Sequence, residues 1–97
     1  MGSLNKLIVA GQLVADPELK YNSAAEWWCW FKLRVRGKEK QDTINCVVWG
    51  GLARICGEYL KKGKLVAVEG RIRVMNKKTE FVVENMQMLD SKFHKKT

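Results

Sequence analysis

The sequence predicts an all-β fold carrying a single helix, and three observations support this. Apolar and polar positions alternate over long runs, only one stretch follows a helical period, and glycine-rich breaks separate the runs. The chain has 97 residues, of which 46% are hydrophobic, so one domain with one modest core is expected and intrinsic disorder is not.

The first strand is expected over Leu4–Val14, rich in Leu, Ile and Val. Asp16-Pro17-Glu18 reads as the turn that ends it, with the proline ring fixing φ. Tyr21 to Ala25 leads into a second strand over Glu26–Arg36, which alternates throughout. Its odd positions are Trp27, Cys29, Phe31, Leu33 and Val35; its even positions are Trp28, Trp30, Lys32, Arg34 and Arg36. Strand side chains alternate between faces, so one face is hydrophobic and the other carries two tryptophans followed by three cations.

Gly37 to Gln41 forms a polar turn before a third strand over Asp42–Trp49. Ile44, Cys46 and Val48 make its apolar phase; Thr43, Asn45, Val47 and Trp49 make the other. Gly50-Gly51 breaks the strand. Leu52, Ile55, Cys56, Tyr59 and Leu60 then follow at helical spacing, with Lys61-Lys62-Gly63 closing that helix. A fourth strand over Lys64–Val74 and a fifth over Thr79–Leu89 are joined by a short Met75–Lys78 loop. Five strands with a helix between the third and fourth is the arrangement of an OB-fold barrel. No repeat or linker divides the chain, so residues 1–91 are expected to form one OB domain and 92–97 a basic tail.

The formal net charge of +8 points to an anionic partner: nucleic acid, an acidic lipid surface or an acidic protein. Cys29, Cys46 and Cys56 are odd in number and lack CxxC spacing, so reduced core thiols in a cytosolic protein are expected, with neither a disulfide framework nor a zinc site. The one histidine, His94, lies in the basic tail, and phosphate-loop, HExxH and Ser/His/Asp patterns are absent. No catalysis, metal or cofactor is therefore expected. Leu7 to Ala15 is apolar but short and interrupted by Gly11 and Gln12, so it reads as a strand; no stretch reaches a membrane-spanning length.

A single-strand binder needs cations along the phosphates and aromatic planes for unstacked bases. Trp28 and Trp30 lie about 7 Å apart at strand rise, and Lys32, Arg34 and Arg36 continue their face. Trp30, set among charged neighbours, reads as a stacking residue. Trp28 is open between stacking and a subunit interface, and Trp49 between base contact and capping the barrel beside the helix. Trp27 shares its phase with Phe31 and Leu33 and is assigned to the core. Asn45 adds a polar group, and Lys20, Arg71, Arg73, Lys77 and Lys78 extend the positive track.

Several stretches resemble a known family. Leu4 to Gly11 followed by Asp16-Pro17-Glu18-Leu19-Lys20-Tyr21 is similar to the opening of bacterial single-stranded DNA-binding proteins, roughly LNKVxLxG then DPExRY. Asn45 to Ala53, Cys56 to Gly63, Val68 to Ile72 and Asn85 to Leu89 resemble later segments of that family, in the same order. The resemblance implies an OB fold, assembly into dimers or tetramers, and cytoplasmic, nucleoid-associated binding of single-stranded DNA, with RNA left open, in replication, recombination or repair. It also implies departures. The family usually carries aromatics where Thr43 and Lys77 stand, and its long loop between the last two strands is a short turn here. Stacking is therefore expected to have moved onto the second strand, with a smaller footprint per subunit. The chain ends Lys92 to Thr97 in a basic run where the family has an acidic tip, so the reading leaves two alternatives: a tail removed from this sequence, or a protein that does not recruit repair proteins by such a tip. Primosomal replication protein N, a related short OB protein, is the alternative within the family; it implies a replication-restart adaptor with Trp28 and Trp30 between subunits.

Overall fold

The computed structural model describes residues 6–36 and 40–89. The expected strand start at Leu4, residues 37–39 of the Gly37–Gln41 turn and the basic tail with His94 lie outside the described residues. The elements are β1 (Leu7–Leu13), β2 (Glu18–Tyr21), β3 (Trp27–Arg36), β4 (Gln41–Trp49), α1 (Gly51–Tyr59), β5 (Leu65–Met75) and β6 (Lys78–Met88). They form one sheet in the order β1-β5-β6-β4-β3-β2, and β1 also pairs with β3 at Gln12–Arg34 and Leu13–Leu33. That pairing closes β1, β5, β6, β4 and β3 into the expected five-stranded barrel, with the helix between β4 and β5.

The short β2 is a correction to the sequence reading, which placed a turn and a lead-in there. Glu18, Leu19, Lys20 and Tyr21 alternate polar and apolar, but over only four residues, all exposed, directly after a proline turn, so the alternation is too short to mark a strand. The strand runs antiparallel along β3 from Glu18–Trp30 to Tyr21–Trp27, with Leu19 against Gly57 of the helix and Tyr21 against Trp27.

The odd phase of β3 enters the core as expected: Cys29, Phe31 and Leu33 are buried, and Trp27 and Val35 pack against them half-buried. Cys46 and Val48 of β4, Val66 and Val68 of β5, and Phe81 and Val83 of β6 complete the barrel interior. Each fully buried side chain of this size contributes about 1.5–3 kcal/mol relative to exposure. Two close backbone approaches permit the strong curvature. A Cβ at Gly11 would lie 2.6 Å from the Arg34 carbonyl oxygen where β1 meets β3. A Cβ at Gly70, beside the β5–β6 register shift at Glu69/Gly70, would run into the Val82 carbonyl.

The helix differs from its expected face. Ala53, Cys56 and Leu60 are buried, whereas Ile55 and Tyr59 are exposed and Leu52 is half-buried. Alanine is small enough to let the helix lie close on the barrel, so the buried stripe turns toward Ala53 and away from the larger Ile55. The helix ends at Tyr59, with Leu60 extended, so the two lysines fall beyond its last turn. There the Lys62 amide donates to Asp16 Oδ1 at 2.8 Å, and the Gly63 amide donates to the Leu13 carbonyl at 2.8 Å.

Candidate nucleic-acid interface

The even phase of β3 faces outward beside the outward phases of β2 and β4. Cross-strand registers define transverse rows. Lys20, Trp28 and Trp49 lie in one; Glu18, Trp30 and Val47 in the next; then Lys32 with Asn45, Arg34 with Thr43, and Arg36 with Gln41. The outward aromatics thus occupy the upper rows and, Lys20 aside, the cations the lower ones. All of the predicted β3 and β4 site residues share this one surface.

The tryptophans do not act alike. Trp28 and Trp49 stack on each other, with centroids 5.7 Å apart and planes inclined by 30°. Trp28 is half-buried, and Trp49 remains 43% exposed. The seven-ångström ladder expected from Trp28 and Trp30 is therefore two platforms of a different kind: Trp30, and Trp49 backed by Trp28. Trp30 is 36% exposed and lies opposite Val47, which is buried although its phase points outward. An indole on one side and β6 on the other account for that burial. Trp27 meets the Tyr21 ring at 4.5 Å between centroids and lies under the Arg54 guanidinium, 5.4 Å from its ring centre.

Lys32, Arg34 and Arg36 are exposed, and among the described residues no carboxylate lies within ion-pair distance of them. Arg34 and Arg36 border a cleft of about 190 Å³ with Gln12 and Gln41, where β1 closes on β3. Two guanidinium groups and two amides there suit an anion.

Arg71 and Arg73 are placed differently. The rung from Val47 to Val82 to Arg71 extends the Trp30 row across β6 onto β5, about 14 Å from Trp30 at three strand spacings. There Arg71 Nε sits 3.0 Å from a Glu84 carboxylate oxygen, and Arg73 donates to Glu80 Oε1 at 2.8 Å. Lys6 adds contacts to Glu69 and Glu84 at 3.5 and 3.7 Å. The outward phase of β6 supplies acids that consume the charge of β5, a pairing the sequence reading missed because it assigned no cross-strand register to the hairpin. Lys77 lies at the hairpin tip, where Asn76 and Lys77 both have positive φ in a two-residue turn. It is five residues beyond the Val82 rung, about 17 Å along the strand.

Arg54 is the other residue the strand patterns did not reveal. It sits on the helix, where no alternation marks it, yet it borders a hollow with Trp27 and Trp49. Among the described residues no group of three or more His, Cys, Asp or Glu side chains is placed to hold a metal ion. Burial pushes the thiols of Cys46 and Cys56 up to about 12 and that of Cys29 to about 11, so they stay protonated and unreactive near neutrality. No helix among the described residues is long and apolar enough to cross a membrane.

The model of the single-strand binding protein family matches residues 4–89. The chain belongs to that family. Single-stranded DNA-binding protein 3 of Listeria innocua is 35% identical over 92% of this chain and 66% of its own length. The single-stranded DNA-binding protein of Enterococcus faecalis is 33% identical over 92% of this chain and 56% of its own. Among solved structures, the wild-type single-stranded DNA binding protein from Thermus aquaticus superposes with a TM-score of 0.82 at 26% identity, covering 90% of this chain and 41% of that one. The chain thus spans about two thirds of the length of the Listeria relative and less of the other two. These matches favour the single-strand binding family over the primosomal adaptor. Within the family frame, Thr43 is an exposed β4 residue in the Arg34 row, and the outward β3 tryptophans Trp30 and Trp28 stand two and three rows away from it.

Proposed function

We propose that this protein binds single-stranded DNA without catalysis, in replication, recombination or repair, and works where bacterial DNA is held, in the cytoplasm. One observation carries the reading: exposed Trp30 and Trp49 sit on the same surface as three cations that no described carboxylate neutralises. Unpaired bases rest on the indoles while phosphates run past Lys32, Arg34 and Arg36. A duplex hides its base faces, so it offers only the second of these contacts. Trp28 supports Trp49 from behind.

The protein also self-associates at least as a dimer in this reading. β1 pairs with β5 from Leu7 to Gln12, but with β3 only at Gln12 and Leu13. Among the described residues no strand pairs with the other edge of residues 7–11, and Leu7 and Ile8 are 46% and 74% exposed. An apolar strand with an open edge suits a symmetric partner strand.

The test is competition among oligo-dT, oligo-U and duplex DNA at two salt concentrations, followed by tryptophan fluorescence. Oligo-dT should quench strongly and outcompete duplex, the more so as salt rises. Absence of quenching, with duplex bound as tightly, would contradict the reading. Light scattering of Ile8→Lys should show a shift toward monomer.

A further inference from the structure

Beside the proposed track, at the corner where β4 enters α1, lies an open hollow of about 510 Å³, the size of a small-molecule site. Its walls include Trp27, Trp49, Gly50, Gly51, Arg54 and Glu26. None of Arg54, Glu26 and Trp27 belongs to the outward face of β3. We propose that this hollow is the seat of the nucleotide whose base rests on Trp49, and that Arg54 takes a neighbouring phosphate, so that the strand leaves the β3 face here.

The inference rests on the single-strand reading above and extends it past the β3 face. Trp28 covers one face of the Trp49 ring, yet Trp49 keeps 43% of its surface open and borders the hollow. Its uncovered side is thus available to a base coming from the hollow. Gly50 and Gly51 leave that wall without side chains: a Cβ at either would meet nothing within 4 Å. Arg54 is exposed, and its guanidinium is held 5.4 Å above the Trp27 ring centre. A cation fixed by its face on an indole keeps its N–H edges for another acceptor. Among the described residues no carboxylate lies within ion-pair distance of it.

The acid on the rim is tied elsewhere. Asn22 Nδ2 donates to Glu26 Oε1 at 3.2 Å, and Asn22 Oδ1 accepts the amides of Ala24 and Glu26 at 3.0 Å. This turn holds Glu26 on the β2–β3 side. A phosphate is repelled from that side and drawn to Arg54. A base, by contrast, can present its pairing-edge N–H donors to the carboxylate, and that edge is free only when the base is unpaired. An anion with a flat, donor-bearing ring is the ligand that satisfies both walls, and a nucleotide is one.

The test measures oligo-dT affinity across a salt series for wild type, Arg54→Gln and Arg54→Lys. Neutralising one phosphate contact on a single strand should make the log–log salt slope shallower by about 0.7 in Arg54→Gln, with a roughly fivefold to tenfold loss at low salt. Arg54→Lys should recover the slope, because the charge is kept. If Arg54→Gln keeps the wild-type slope and affinity while Trp30→Ala weakens binding, the hollow is not a nucleotide seat and the single-strand reading stands. A weaker Arg54→Gln with an unchanged slope assigns Arg54 to the support of Trp27 and also overturns the proposal. Failure of the wild-type protein to bind oligo-dT removes the reading on which the proposal rests.

Discussion

The β3–β4 ribbon and the β5–β6 hairpin carry similar side chains to opposite effect. Both present arginines on the outward face of the same barrel. On the ribbon, Lys32, Arg34 and Arg36 alternate with core residues, and their neighbours across β4 are Asn45, Thr43 and Gln41, all uncharged. On the hairpin, Glu80 lies directly opposite Arg73 and Glu84 diagonally across from Arg71, beside its partner Val82, and the two arginines are engaged at 2.8 and 3.0 Å respectively. A guanidinium already held by a carboxylate must break that contact to meet a phosphate. Cation count is therefore a poor guide to a binding track; the charge of the cross-strand neighbour decides. The tryptophans, too, fall on the ribbon, whereas the hairpin carries none.

The largest effect expected from this contrast is on stacking. Trp30→Ala combined with Trp49→Ala should cost about 1–3 kcal/mol per lost platform, a fall of at least roughly thirtyfold in oligo-dT affinity, with circular dichroism showing the fold retained. A loss below threefold would place the bases elsewhere.

Next comes the charge comparison. Arg34→Gln with Arg36→Gln should make the salt slope shallower by about 1.4, two contacts at about 0.7 each. The quadruple variant Arg71→Gln, Arg73→Gln, Glu80→Gln and Glu84→Gln keeps net charge constant and should leave the slope unchanged. Its stability should fall little, since partly exposed ion pairs contribute about 0–1 kcal/mol each. A slope that moves in the quadruple variant and not in the double one would reverse the assignment of the two regions.

Much of this contrast was legible in the sequence because β3 alternates over ten residues. Strict period-two alternation tells core from surface directly, so Cys29, Phe31 and Leu33 were placed inside and Trp30 outside. What was not legible depends on pairing between distant segments. The strand β2 alternates over only four residues, all exposed, too few to mark it. Glu80 and Glu84 neutralise Arg73 and Arg71 only once the hairpin register is known. Val47 is outward in phase, yet Trp30 and β6 bury it. The Trp28–Trp49 stack joins residues 21 positions apart through the β3–β4 register. Arg54 gave no signal because a helical surface cation is ordinary until the wall beside it is seen.

The smallest effect is expected in the core that ribbon and helix share. The raised thiol pKa values of Cys29, Cys46 and Cys56 mean that the unfolded chain releases these protons first, near 9.0. Their contribution to stability is complete below pH 9 and is lost as pH rises through about 11 to 12. Thermal melts should show a decline confined to that alkaline range, and thiol reagents should label the native protein only slowly at pH 7.

Photocross-linking of oligo-dT that carries 5-iodouracil, with the adducts located by mass spectrometry, reads the path of the bases directly. Adducts are expected on Trp30 and Trp49. Adducts concentrated between Met75 and Lys78, with both tryptophans unmodified, would show that the strand runs over the hairpin and would contradict a path over the ribbon.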